Sequence, residues 1–118
     1  MELLTAELRA QLPGIYAQAE QPDPMVYAKF FTPDSGWTWY VTEGQEEEDD
    51  FAFFGYVKGQ CWELGYFSLK ELQAVRGPLG LAIERDLDFT PRRWSEVKQK
   101  ERQEGAVVVE DGCGCLST

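Results

Sequence analysis

The chain has 118 residues, enough for one domain with an ordinary core, and its 43% apolar and 14% aromatic content marks it as globular rather than disordered. Its net charge of −10, from 11 basic and 21 acidic side chains, repels phosphate backbones and so disfavours general nucleic-acid binding. Histidine is absent, which removes Ser-His and Cys-His nucleophile pairs and most zinc-hydrolase ligand sets.

No apolar run approaches the roughly 18–20 residues of a transmembrane helix. Met1-Glu2-Leu3-Leu4 lacks the basic start of a signal peptide, so the expected location is cytoplasmic. Thr5 is positioned to cap a first helix over Ala6–Leu12, with leucines at 4, 8 and 12 on one stripe and Pro13-Gly14 ending it. A short turn over Ile15–Ala19 and the connector Pro22-Asp23-Pro24 follow.

Four strand-like segments come next: Val26–Thr32, Trp37–Glu43, Phe51–Lys58 and Cys61–Phe67. Pro33-Asp34-Ser35-Gly36 joins the first pair, an acidic loop the second and Gly59-Gln60 the third, and such short links favour an antiparallel meander. Ser68 then caps Leu69–Val75, with Glu71 completing a capping box. After the loop Arg76-Gly77-Pro78-Leu79-Gly80, Leu81–Phe89 reads as a fifth strand. Thr90-Pro91 starts a last helix that runs through Trp94 and Val97 to about Gln103. The expected fold is α+β: a single domain over residues 1–103, an antiparallel meander of about five strands, with helices at both ends packed on one face. Residues 104–118 form an acidic, cysteine-containing tail, flexible or adding a short edge strand at Ala106–Val109.

In the second strand, alternation puts Trp37, Trp39 and Val41 on one face and Thr38, Tyr40 and Thr42 on the other. The first face is the drier and is assigned to the core, with Phe53, Leu69, Leu72 and Leu81. The second, continued by Tyr27 and Lys29 and by Tyr56 or Tyr66, is either a binding surface or a second covered face. Cys61 falls in an apolar pattern as a small core residue, whereas Cys113-Gly114-Cys115 supplies only half a metal site.

The stretches Leu3-Leu4-Thr5 with Leu8-Arg9 and Leu12-Pro13, VYAKFFTP (26–33), WTWYVTE (37–43), FFGYV (53–57), ELGYFSL with Glu71-Leu72, and RGPLGL onward to Pro91 are specific as a set. Together they resemble domain-of-unknown-function family 2958, small bacterial proteins often encoded on plasmids, integrative elements and phages. The resemblance covers roughly residues 1–97 and leaves out the tail. It implies a single domain in a mobile-element or phage-defence context and supplies no catalytic residue.

Three constellations carry chemistry. The run Glu46-Glu47-Glu48-Asp49-Asp50 concentrates the acidic excess, and is either a solvated loop or an acidic binding surface. Arg92, Arg93, Lys98, Lys100 and Arg102 form the one basic cluster, and Trp94 among them offers a ring for base stacking or an anchor onto the sheet. With Tyr27, Lys29 and Tyr40 this is the alternative, nucleic-acid surface. Glu84, Asp86 and Asp88 alternate, so a strand would project all three carboxylates from one face about 7 Å apart. That arrangement either guards a sheet edge or binds a divalent cation for phosphoryl chemistry. The expectation is no cofactor and no bound metal, with Glu84, Asp86 and Asp88 lending a second acidic patch. The leading reading is a non-enzymatic accessory protein whose acidic surface, DNA-mimic-like, engages a host or element protein with a basic groove. A nucleic-acid module is the alternative, and a carboxylate-metal hydrolase the weakest reading.

Overall fold

The computed structural model describes residues 2–105. Helix α1 (Ala6–Gln11) is capped by Thr5, whose Oγ1 accepts the Leu8 N–H at 3.1 Å. Strands β1 (Met25–Val26), β2 (Ala28–Phe31), β3 (Thr38–Glu47), β4 (Asp50–Lys58) and β5 (Trp62–Ser68) follow. Helix α2 (Leu69–Ala74) carries the full Ser68/Glu71 capping box. Strands β6 (Glu84–Arg85) and β7 (Arg92–Arg93) precede helix α3 (Trp94–Gly105). Five strands form an antiparallel sheet in the order β5-β4-β3-β2-β6, and β1 pairs separately with β7. The α+β meander is therefore present, with helices at both ends of the chain. The expected tail lies outside the described residues, apart from the end of α3.

The sheet has two apolar faces rather than one. Ala28 and Phe30 of β2, Trp39 and Val41 of β3, and Phe51, Phe53 and Phe67 of β4 and β5 meet Leu3, Leu4, Leu8, Leu72 and Ile83. The opposite face joins Val26, Tyr40, Tyr56 and Trp62 to Trp94 and Val97 of α3. So α1 and α2 cover one side and α3 the other; the helices do not share a face. Trp39 and Tyr40 of β3 and Phe51, Phe53, Phe54 and Tyr56 of β4 alternate between the two sides, so both faces carry rings.

Several core assignments change. Trp39, Phe53 and Leu72 are buried and Leu69 packs against them, but Trp37 is 45% exposed. It precedes β3 and stacks on Trp39 with centroids 6.2 Å apart. Leu81 is likewise exposed and Ile83 takes its core position. The fifth strand shrinks to Glu84–Arg85 because the loop before it is pinned elsewhere. Asp34 Oδ2 accepts the Leu79 N–H at 2.8 Å, and a bridge joins Arg76 to Ala82. Gly77 is required there, since a Cβ would lie 1.6 Å from Asp34 Oδ1. Cys61 sits half-buried in the bend before β5 rather than in the core.

The last helix starts at Trp94, not at Pro91. Arg92 and Arg93 are drawn into pairing with Val26 and Met25, so the chain is still extended after the proline. The first turn is then capped from a distance: Asp23 accepts the Ser95 N–H and Oγ–H, both at 2.7 Å. Those two bonds hold the Asp23 carboxyl below its ordinary value.

Candidate functional site

The acidic run is not a loop. Glu46 and Glu47 finish β3, Asp50 opens β4 opposite Glu47, and Glu48-Asp49 is the turn between them. Its flanks are fastened. Glu46 forms an ion pair with Arg9 of α1, and the Arg9 guanidinium lies 5.1 Å from the Phe51 ring centre. Asp50 Oδ1 accepts the N–H of Phe51 at 2.8 Å and of Lys70, in the first turn of α2, at 3.0 Å. Partial desolvation opposes ionisation of Asp50, but these backbone bonds, with the Ser68 hydroxyl and the Lys70 charge, together outweigh it and hold its pKa below the ordinary value. Glu47, Glu48 and Asp49 are exposed and have no ion pair among the described residues. The five acids thus divide into three at a projecting tip and two that stiffen its base.

The alternative surface is dismantled by packing. Tyr40 and Trp94, the rings expected to meet a base, are 1% and 6% exposed. Trp94 lies flat on Tyr56, 3.7 Å between centroids with planes 3° apart, and edge-on to Trp62 and Tyr40. Tyr27 packs on the opposite face from Tyr40, because the chain breaks between β1 and β2 there. Lys29 lies 3.8 Å from Asp86 and over the Tyr40 ring. The Arg92 guanidinium is folded back onto Thr90, Arg93 donates to the Asp23 carbonyl, and Lys98 is half-buried on α3.

The three alternating carboxylates do not share a strand face. Only Glu84 lies in β6; Asp86 donates its N–H to the Lys29 carbonyl, and its carboxylate accepts the Asp88 N–H at 2.9 Å in a turn. Among the described residues, no three metal-ligating side chains converge.

Two other acids are drawn inward instead, Glu43 fully buried and Glu101 half-buried. Glu101 Oε1 accepts from Lys58 Nζ at 2.8 Å and Oε2 accepts from the Tyr40 hydroxyl. Burial pushes its pKa up, but those two hydrogen bonds, with the Lys58 and Lys29 charges, prevail and hold the carboxyl below its usual 4.5. Its position carried a signal: Trp94, Val97 and Glu101 recur at helical spacing, so the acid extends the apolar stripe of α3. Beside this cluster, Lys29, Asp86, Phe89, Arg92 and Lys100 line a cleft of about 280 Å³ whose cations are matched by carboxylates.

Glu43 is 2% exposed, and its oxygens accept the N–H groups of Tyr16 and Gln18 at 2.8 and 2.7 Å. A bulge at Thr42 puts it there: the register moves so that Glu43, not Thr42, stands opposite Phe54. Without that extra residue Glu43 would continue the Trp39–Val41 side and point into the apolar core. With it, the acid faces the turns over 15–20. Gln18 completes the tie, bonding the Met25 N–H and carbonyl and the Thr42 carbonyl. No spacing rule marks a bulge in advance.

What fold and surface define is a small acidic α+β protein built on a sheet covered on both sides, with a fastened acidic hairpin at one end. The chain belongs to the family described as protein of unknown function (DUF2958), whose model matches residues 3–108. The match reaches past residue 97, to the end of α3 and beyond. Nothing among curated proteins or solved structures matches the chain. No helix among the described residues is long and apolar enough to cross a membrane.

Proposed function

We propose that the protein is a non-enzymatic accessory factor of mobile-element or phage-defence context that presents its β3–β4 hairpin to a basic, normally DNA-facing surface of a host or element protein. One observation carries this reading. Glu47, Glu48 and Asp49 are exposed at the tip of a hairpin whose base is fastened by Glu46 to Arg9 and by Asp50 to the first turn of α2. A carboxylate array held stiffly loses less conformational freedom on binding than a floppy acidic loop. Facing Lys and Arg side chains, it takes the place of phosphates and gives a steered, salt-sensitive contact. The nucleic-acid reading has no comparable support, since its rings are in the core.

The test is affinity capture from cells carrying the native element, with Glu47→Gln, Glu48→Gln and Asp49→Asn combined. Glu46 and Asp50 are left alone because they hold structure. The triple variant should keep its melting temperature, as surface changes usually stay within about ±0.5 kcal/mol each. It should lose the partner, and capture by the unmodified chain should weaken steeply with salt. Full partner binding by the triple variant overturns the proposal. So does tight binding of free DNA by the unmodified chain that Arg92→Ala with Arg93→Ala abolishes.

A further inference from the structure

We infer that β5 is a self-association edge: two copies pair antiparallel along Trp62–Ser68, about a two-fold axis at Gly65, and join their sheets into one. Strand β5 is an outer strand of the sheet, seven residues long and in unbroken register with β4. The other edge, β6, has only two residues. An edge of that length templates further strand pairing unless charge, proline or a bulge guards it. Strand β5 has no proline, and Glu63 is its one charge. Among the described residues no strand pairs with its outer side. Leu64 and Tyr66 stand 47% and 57% exposed on it.

The glycine supplies a second, independent observation. Gly55 and Gly65 face each other across the β4–β5 ladder. At Gly55 a Cβ would meet the Tyr40 carbonyl oxygen at 1.9 Å, so the fold itself demands glycine. At Gly65 a Cβ would meet nothing within 4 Å among the described residues. Glycine within a strand weakens it and packs nothing, and it commonly marks a place where another backbone comes close. Packing among the described residues gives Gly65 no reason; a second strand laid against it does.

The occupant is a second copy because β5 is self-complementary under that rotation. With the axis at Gly65, Leu64 falls opposite Tyr66 of the second copy and Tyr66 opposite its Leu64, all on one face. Glu63 falls opposite Phe67 of the second copy, so no like charges confront each other. Two chains of net charge −10 repel, and contact is cheapest along a stretch with a single charge. This surface is separate from the acidic hairpin, and salt tells them apart: screening weakens hairpin binding to a basic partner but strengthens self-association.

Sedimentation velocity of the full chain, from micromolar to millimolar concentration at low and high salt, reads the outcome. The mass should rise from one chain towards two with concentration, and earlier at high salt. Gly65→Glu fits the described packing of one chain but sets two like charges together at the axis. It should stay at the mass of one chain throughout, with the melting temperature of the unmodified monomer. An unmodified chain that remains single at every concentration overturns the inference, as does a Gly65→Glu variant that still dimerises. A monomer whose melting temperature falls on Gly65→Glu also overturns it, and points to residues 106–118 of the same chain along that edge.

Discussion

Trp94 is where helix α3 is held to the sheet, and Trp94→Ala tests the two-faced architecture. The indole is 6% exposed, flat on Tyr56 at 3.7 Å and edge-on to Trp62 and Tyr40 at 5.2 and 5.8 Å. A buried tryptophan removes about 200 Å² from water, which at about 25 cal/mol per Å² amounts to about 5 kcal/mol. Measured truncations of buried Phe and Trp to Ala cost about 3–5 kcal/mol, so the two routes agree. Against a total stability of about 5–15 kcal/mol, this is enough to leave a marginal protein. Urea unfolding of the unmodified chain, Trp94→Ala and Trp94→Phe provides the measurement. The alanine variant should lose about 3–5 kcal/mol, and the phenylalanine variant should regain at least half by keeping a ring on Tyr56. A loss below about 1 kcal/mol would mean that α3 does not close this face, because surface side chains cost no more than that.

Two further predictions concern Glu101 and Glu43. The folded Glu101 carboxyl lies below its unfolded value near 4.5, so its contribution is complete above that pH and is lost as pH falls through the lower folded value. The melting temperature of the unmodified chain should drop more steeply below pH 4.5 than that of Glu101→Gln, and parallel curves would refute the Lys58–Glu101–Tyr40 arrangement. Glu43→Ala should strand the N–H groups of Tyr16 and Gln18 at about 1–3 kcal/mol and speed hydrogen exchange at both amides, whereas unchanged exchange would show that the turns over 15–20 are held by something else.

What was legible in the sequence was local. Thr5 and the Ser68/Glu71 pair cap helices because their partners are three residues away, and strands β3 to β5 announce themselves by alternation. The family resemblance rests on the same contiguous stretches. The acidic run is visible as charge, but a one-dimensional reading cannot separate Glu46 and Asp50 from the three acids between them. Their partners, Arg9 and Lys70, lie far off in the chain.

Tertiary structure decided the rest, for one physical reason: alternation says that two residues lie on opposite faces, not which face is covered or by what. Tyr40, flanked by threonines, reads as half-polar, yet it is buried because α3 returns across it and Glu101 accepts its hydroxyl. Trp37 reads as core, yet it sits before the strand and outside. The bulge at Thr42 turned Glu43 from a residue that would point into the apolar core into one that fastens a turn. Long-range contacts and register are set by the packing of whole elements, and the sequence by itself determined the first two helices and strands β3 to β5, not the short strands β6 and β7 or what covers the sheet.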